Sequence, residues 1–357
     1  MKIEARKKYF LIYLTRFTSI VIIFLLGLNY FFIVISQKRN ALKEDTFVPP
    51  VIHFTDNHHN SKRKALMCAI VKDEEAYIHE WVDYHYALGF DKIRIYDNSD
   101  LNEMKVFGDK KENHVDVIHF PGVPVADCGL QERAYHDCAQ KAVEEGVYTW
   151  AAFFDIDEFL VLKKHEDVHD MLEEYLQRGA LGINWYKFEA TQSDVVYVPL
   201  PVTKRFTYRS RKPLPIIKSI VKLSDFDLQK TKGCHVHAFP LKEGVTHGFN
   251  GENITDGMWN REGTEDVAVL HHYEVKSFKE YLTKRLRGRA AHDPNSTLVK
   301  EGIRHAQNMF KNALIVYDHN STEMRKDFIF DDSAWQVLKK NVPRYAAFDA
   351  LYSTDNE

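Results

Sequence analysis

Residues 66–100 read LMCAIVKDEEAYIHEWVDYHYALGFDKIRIYDNSD, and their pattern decides the fold. LMCAIV is a continuous apolar run of strand length, as expected for a strand buried on both faces. Asp73 stands where it can cap the next helix, with Glu74 and Glu75 in the first turn, where acidic groups suit the helix dipole. Ile78, Trp81, Val82, His85 and Leu88 then recur at helical spacing, and Gly89 stops the helix. Residues 92–96 (KIRIY) form a second strand, broken by Asp97-Asn98-Ser99-Asp100.

Working outward, residues 115–120 predict a third strand, and residues 130–145 a helix ending at Gly146. Residues 149–154 (TWAAFF) predict a fourth strand running into Asp155-Ile156-Asp157-Glu158. This β-α-β-β-α-β order defines an α/β protein with a mainly parallel sheet covered by helices. Such sheets bind ligands beyond the carboxyl ends of their strands. Residues 72–74, 97–100 and 155–158 all fall at those ends. Beyond residue 181 the pattern is less regular, with strands expected at 182–188, 216–223 and 266–273 and helices at about 276–287 and 298–312. There is no internal repeat and no Rossmann or Walker glycine motif.

Apolar residues make up 45% of the 357-residue chain, enough for a sizeable core, and the net charge of −3 gives no basic field for nucleic acid. The four cysteines are too few for a disulfide scaffold and form no CxxC pair. If one bridge forms, Cys128 with Cys138 is the favoured pairing. Near the N-terminus, residues 18–35 (TSIVIIFLLGLNYFFIVI) carry no charge. With residues 9–13 they reach the length that spans about 30 Å of hydrocarbon. Lys2, Arg6, Lys7, Lys8 and Arg16 precede the run, against Lys38, Arg39 and Lys43 after it, which favours a cytosolic N-terminus. A cleaved signal peptide is the rival, but the run exceeds a typical apolar core and no small-x-small site follows Ile35. The expected organisation is a cytosolic tail (1–8), a transmembrane anchor (9–36), a stem (37–64), two halves of the body (65–160 and 161–320) and a C-terminal extension (321–357). Sequons at Asn253, Asn295 and Asn320 agree with a lumenal body.

Asp155 and Asp157 are expected on one side of an extended segment. Paired hard oxygen ligands suit magnesium or manganese, which can bridge to a diphosphate. A second Asp-x-Asp, Asp225-Phe226-Asp227, lies outside the β/α half and reads as structural. His272, closing a strand, could complete a metal site. Cys234-His235-Val236-His237 has no second paired cluster to close a zinc site, so it also reads as structural.

Five blocks together resemble glycosyltransferase family 92 and its relatives in the family 2-like group. They are residues 72–100, FFDIDEFLVL (153–162), GINWYKF (182–188), IIKSIVK (216–222) and LHHYEVKSFKEYLTKRLRG (270–288). The resemblance implies a GT-A-type, Rossmann-like fold and a single-pass type II Golgi membrane protein with its body in the lumen. It further implies inverting transfer from a UDP-sugar, often galactose. By the same resemblance Glu74 and Asp97 lie near the nucleoside, and Asp155 and Asp157 hold the metal diphosphate. His272 closes the site, while Arg133 and Lys218 are weaker candidates for phosphate contacts. Asp73 and His271 stand where the family often has Asn, and Glu189-Ala190-Thr191-Gln192 replaces an expected Gly-Ser-Ser-Gly. That last departure puts the acceptor, and with it the donor sugar, in question.

The expected function is therefore metal-dependent transfer of a hexose from a nucleotide-sugar donor to a glycan hydroxyl, with manganese or magnesium and no nucleic-acid partner. A carboxylate, Glu189 first and Asp194 second, removes the acceptor's proton. The rivals are a metal-dependent hydrolase using the same carboxylates and a membrane-anchored, catalytically silent glycan-binding protein.

Overall fold

The computed structural model describes residues 63–122 (apart from 103, 106 and 108–113), 129–190, 197–230, 236–287, 304 and 328–352. The apolar run at 9–36, nearly all of the stem, Cys128, Cys234, Asp194 and the helix expected at 298–312 (save residue 304) lie outside them. No helix among the described residues is long and apolar enough to cross a membrane.

The expected first half is present in order: β1 (Ala65–Val71), α1 (Glu75–Ala87), β2 (Lys92–Asp97), β3 (Val115–His119), α2 (Leu130–Glu145) and β4 (Trp150–Phe153). Every residue of β1 is buried because β2 and β4 flank it and helices cover both faces. Its side chains alternate, as in any strand. Ala65, Met67, Ala69 and Val71 join the core beneath α1, whereas Leu66, Cys68 and Ile70 pack against α2. Gly146 ends α2 with φ 65°, a left-handed stop that glycine adopts without steric cost. At the start of α1 the capping residue is Glu74 rather than Asp73, which takes φ 49°. The Asp73 carbonyl is turned to accept from Arg287 Nη1 at 3.1 Å, so this loop is set by a distant cation and not by a local cap.

The remaining elements are β5 (Glu158–Leu162), α3 (Val168–Tyr175), β6 (Ala180–Lys187), α4 (Val202–Arg205), β7 (Tyr208–Ser210), β8 (Leu214–Lys222), β9 (Thr246–His247), β10 (Ala268–His272), α5 (Phe278–Leu286), β11 (Phe328–Phe330), α6 (Ser333–Asn341) and α7 (Ala347–Tyr352). The main sheet runs β3-β2-β1-β4-β8-β6-β10-β5, with β9 beside β6. Its first four strands are parallel, as expected. From β8 onward the sheet is mixed: β8 is antiparallel to β4 and β6, β10 parallel to β6, and β5 antiparallel to β10. One sheet thus runs through both stretches of the body.

Edge strand β5 shows why the helix block reads WVDYH. On its other side, α1 supplies side-chain partners for a backbone that no further strand covers among the described residues. Trp81 Nε1 donates to the Glu158 carbonyl at 2.8 Å and Tyr84 OH to that of Leu160 at 2.8 Å. His85 Nε2 accepts from Leu160 N at 3.3 Å, while its Nδ1 lies 2.9 Å from the Trp81 carbonyl. Burial pushes the pKa of His85 down to about 3, so the ring is neutral and its network selects the Nδ1–H tautomer. Removing the Trp81 indole would leave the Glu158 carbonyl unpaired and cost roughly 3–5 kcal/mol of packing.

The disulfide joins Cys68 to Cys138, not Cys128 to Cys138. Cys68 lies on the β1 face beneath α2, and Cys138 on the α2 face that covers it, with Cα atoms 6.4 Å apart. Proximity in sequence favoured the wrong pair, because only the packing of helix on sheet brings these two together.

Candidate active site

β4 ends at Phe153 and β5 begins at Glu158, so Asp155-Ile156-Asp157 is a tight turn rather than an extended segment. Its two carboxylates consequently meet different partners. Asp155 Oδ1 accepts from Gln131 Nε2 at 2.6 Å and Tyr135 OH at 3.1 Å, both from α2, and pairs with Lys218 Nζ of β8 at 3.0 Å. Gln131 and Tyr135 are i and i+4, one face of the helix. Arg133, two residues round, has its guanidinium beside Gly122 instead. The Asp155 backbone N–H donates to Glu158 Oε2 at 3.0 Å.

Asp157 is almost wholly buried. His272 Nε2, at the end of β10, lies 3.5 Å from its Oδ1, and Lys276 Nζ lies 3.7 Å from its Oδ2. Lys284 of α5 bonds the same Oδ2. Beside this cluster, Glu74 Oε1 accepts from Arg287 Nη2 at 2.6 Å.

The protonation pattern follows from burial set against charge. Burial pushes Asp157 up, but Lys284, Lys276 and His272 hold it well below the usual carboxylate range. At Asp155, burial is likewise overcome, chiefly by Lys218, and the net shift is downward. Glu158, fully buried between two carboxylates, is driven well above its ordinary value by desolvation, which Lys218 does not offset. The three acids of this turn are thus pushed apart, Asp155 and Asp157 downward and Glu158 upward. Desolvation also lowers Lys276, despite Asp157. His237 is brought down to about 4 by burial and then by Lys218.

Of the residues singled out from the sequence, the fold brings together Asp155 with Lys218, and Asp157 with His272, and it sets Glu74 beside the second pair. Asp97 is fully buried, its two oxygens accepting from Ser99 N at 2.9 Å and Met104 N at 3.0 Å within its own loop. Glu189, just past β6, pairs with Lys187 at 3.0 Å. Of the Cys-His-Val-His run only its end is described: His237 Nδ1 lies 2.7 Å from the Ile217 carbonyl.

Sequence reasoning passed over Lys276, Lys284 and Arg287, although all three sit inside the LHHYEVKSFKEYLTKRLRG block. It also passed over Gln131, Tyr135 and Trp185, whose ring lies 4.4 Å from that of His272. The i, i+4 spacing of Gln131 and Tyr135 on the helix feeding β4 was the one usable signal for them.

The described residues contain no group of three or more His, Cys, Asp or Glu able to hold a metal ion. Asp157 and His272 do present one oxygen and one imidazole nitrogen side by side. That fits an ion completed by substrate phosphates and water, the usual mode for magnesium, rather than a closed protein cage.

A buried carboxylate turn ringed by lysines thus lies at the carboxyl edge of a half-parallel sheet, the edge at which such sheets bind ligands. Residues 63–199 match the family model "Glycosyltransferase family 92", which bears out the resemblance carried by the motif blocks. A glycosyltransferase family 92 protein of Ricinus communis is 28% identical over 244 residues, covering 63% of this chain and 37% of its own. One of Arabidopsis thaliana is 26% identical over 240 residues, covering 62% and 37%. The chain thus matches little more than a third of the length of these relatives. A solved mannosyltransferase from Pyrobaculum calidifontis, in complex with GDP-Man and Mn2+, aligns with 90% of this chain and 95% of its own. The two share 12% sequence identity, with a TM-score of 0.32.

Proposed function

We propose that this protein transfers a hexose, with galactose favoured, from a UDP-sugar to a glycan hydroxyl with inversion at the anomeric carbon. The observation that carries this reading is the pairing of Asp157 with His272, Lys276 and Lys284, next to Asp155 with Lys218. Asp155 and Asp157 lie just beyond the end of β4, inside the residues that match a glycosyltransferase family model, and Lys218, His272, Lys276 and Lys284 reach them from later in the chain. Carboxylates and cations in alternation suit a donor whose leaving group is a diphosphate.

Asp157 and His272 would hold manganese or magnesium, which when bound neutralises charge developing on the departing diphosphate. Lys218 fixes Asp155, and Gln131 and Tyr135 of α2 lock the same oxygen, so this carboxylate is positioned before any substrate arrives. Glu189, held by Lys187, takes the proton of the acceptor hydroxyl as its oxygen bonds to the anomeric carbon. The bond from that carbon to the phosphate oxygen breaks, and its electron pair leaves with UDP. The apolar run at 9–36 would anchor the chain as a type II protein of the Golgi membrane, with the body in the lumen.

The test is to incubate the full chain in detergent with a panel of nucleotide sugars and manganese, with and without glycan acceptors, measuring free nucleoside diphosphate. Release of UDP from one UDP-sugar, stimulated by an acceptor and stopped by chelator, is expected. Release from none of them would overturn the proposal.

A further inference from the structure

The cations around Asp157 outnumber what one carboxylate needs. Lys276 is 4% exposed, and its backbone takes φ 51°, a left-handed conformation uncommon for a residue with a side chain. Its Nζ lies 3.7 Å from Asp157 Oδ2 and 4.5 Å from the centre of the Tyr77 ring. Lys284 shares that same carboxylate oxygen from α5.

The segment bearing both lysines is fixed at each end. At the start of α5, Ser277 and Glu280 form a reciprocal capping box. Glu280 also takes both guanidinium nitrogens of Arg205, at 2.8 and 2.7 Å, and Tyr77 OH at 2.9 Å. At the end, Arg287 bonds Glu74 and the carbonyls of Lys72 and Asp73. Lys276 directly precedes the first anchor and Lys284 lies between the two, so both lysines are carried on a backbone held by other side chains.

We propose that Lys276 and Lys284 are a diphosphate-binding pair parked on Asp157 while no donor is bound, so that anion and divalent cation enter together. Two lysines facing one carboxylate leave an excess positive charge in a desolvated site, which an anion with two or more charges can match. Phosphate oxygens draw the ammonium groups off Asp157, and the freed carboxylate oxygen becomes available to a divalent ion. Before that exchange both lysines hold Asp157 Oδ2, which leaves Oδ1, beside His272, as the oxygen facing a metal. The inference rests on the proposed use of this site for a diphosphate donor, and adds to it an order of assembly and the two residues that enforce it.

Calorimetry on the full chain in detergent tests it with four titrants: MnCl2 alone, pyrophosphate with EDTA, UDP with EDTA, and UDP with MnCl2. For the wild type, manganese and UDP should each tighten the other's binding by the same factor, roughly tenfold or more, because coupling between ligands is reciprocal. In Lys284→Gln, MnCl2 alone should bind several-fold more tightly, while pyrophosphate and UDP with EDTA should bind roughly tenfold more weakly. Lys284→Arg should restore the anion binding. Lys276→Gln should act in the same direction, and its near-ultraviolet circular dichroism reports whether it has folded.

Equal affinities of wild type and Lys284→Gln for MnCl2 alone and for pyrophosphate, with UDP still bound, would overturn the lysine exchange and leave the transferase proposal standing. Lysine-dependent pyrophosphate binding without any binding of UDP would support the anion pair and overturn the UDP-sugar donor.

Discussion

Two turns in this molecule share the pattern Asp-x-Asp and differ in everything that surrounds it. Asp225 and Asp227 are bonded mainly to backbone N–H groups. Asp225 Oδ2 accepts from Gly179 N at 2.7 Å and its Oδ1 from Ser224 Oγ at 2.8 Å; Asp227 accepts from Gln229 N at 3.1 Å and pairs with Lys230 at 3.2 Å. Asp155 and Asp157 instead meet side chains from α2, β8, β10 and α5, elements scattered over the chain. A carboxylate bonded to backbone N–H groups, Asp227 to that of its own turn and Asp225 to that of Gly179, is used up in holding the backbone in place. One held by lysine and histidine side chains can trade those partners for a ligand. Helix α2 lies between the two cases, since it donates to Asp155 through Gln131 and Tyr135 and meets the other region through His136, 3.1 Å from the Leu228 carbonyl.

The largest expected effect tests the contrast directly. Asp157→Asn should lower UDP release from the donor about 10²- to 10³-fold, the range for losing one preorganised electrostatic contact. It should also lower the melting temperature, because Lys276 and Lys284 then face an uncharged amide in a buried site. An active Asp157→Asn enzyme would remove the distinction between the turns.

Cys138→Ser comes next. It frees α2 from β1 and opens a loop of 70 residues, worth about 4 kcal/mol of stability in the chain-entropy picture. Denaturant unfolding measures the loss. If α2 is the common support, the variant that still folds should weaken UDP binding at the Asp155 side while the Asp225 turn keeps its structure.

A titration at the opposite end of the sheet serves as a control. His169 lies between Asp167 Oδ1 at 2.8 Å and Asp91 Oδ2 at 2.9 Å, far from the carboxyl ends of the strands. Burial lowers its pKa, but the two carboxylates outweigh that and raise it to about 9. A raised histidine pKa stabilises the fold fully below its unfolded value near 6.5, and that stabilisation is lost as pH rises through about 9. The melting-temperature gap between wild type and His169→Gln should therefore be widest near pH 6 and close by pH 9 to 10. Solvent screening holds the gap below the full value of the shift, at about 1–2 kcal/mol. A gap that stays constant over that range would contradict the assignment.

The smallest effects belong to the second turn. Asp225→Ala should cost about 1–3 kcal/mol, the penalty for leaving the buried Gly179 N–H unpaired, with turnover unchanged. Asp227→Asn should alter neither turnover nor the melting temperature measurably. A large loss of turnover in either variant would mean that the site has been assigned to the wrong turn.

Much of this was legible before any coordinates. The strands and helices of residues 65–153 came out within a residue or two, because apolar periodicity, Gly89 and Gly146 are local signals. That the acidic segments gather at one edge followed from the strand order. The second half was harder. β5 and α3 went unread: β5 is an edge strand whose backbone is satisfied by Trp81, Tyr84 and His85, and nothing in EFLVL announces those partners. The Asp73 cap failed because Arg287 claims that loop from 214 residues away.

By itself, the sequence determined the strands and helices of residues 65–153, and that Asp155 and Asp157 follow a buried strand at the ligand-binding edge. Those facts depend on spacing along a few turns of chain. Only the tertiary structure decided which charges face which. Lys284 reaches Asp157 across 127 residues, and Cys138 reaches Cys68 across 70. Such encounters are set by the order β4-β8-β6-β10 and by the face of α2 laid on β1. No local propensity encodes them, because the free energy that fixes strand order is spread over the whole buried core rather than held by the residues that meet.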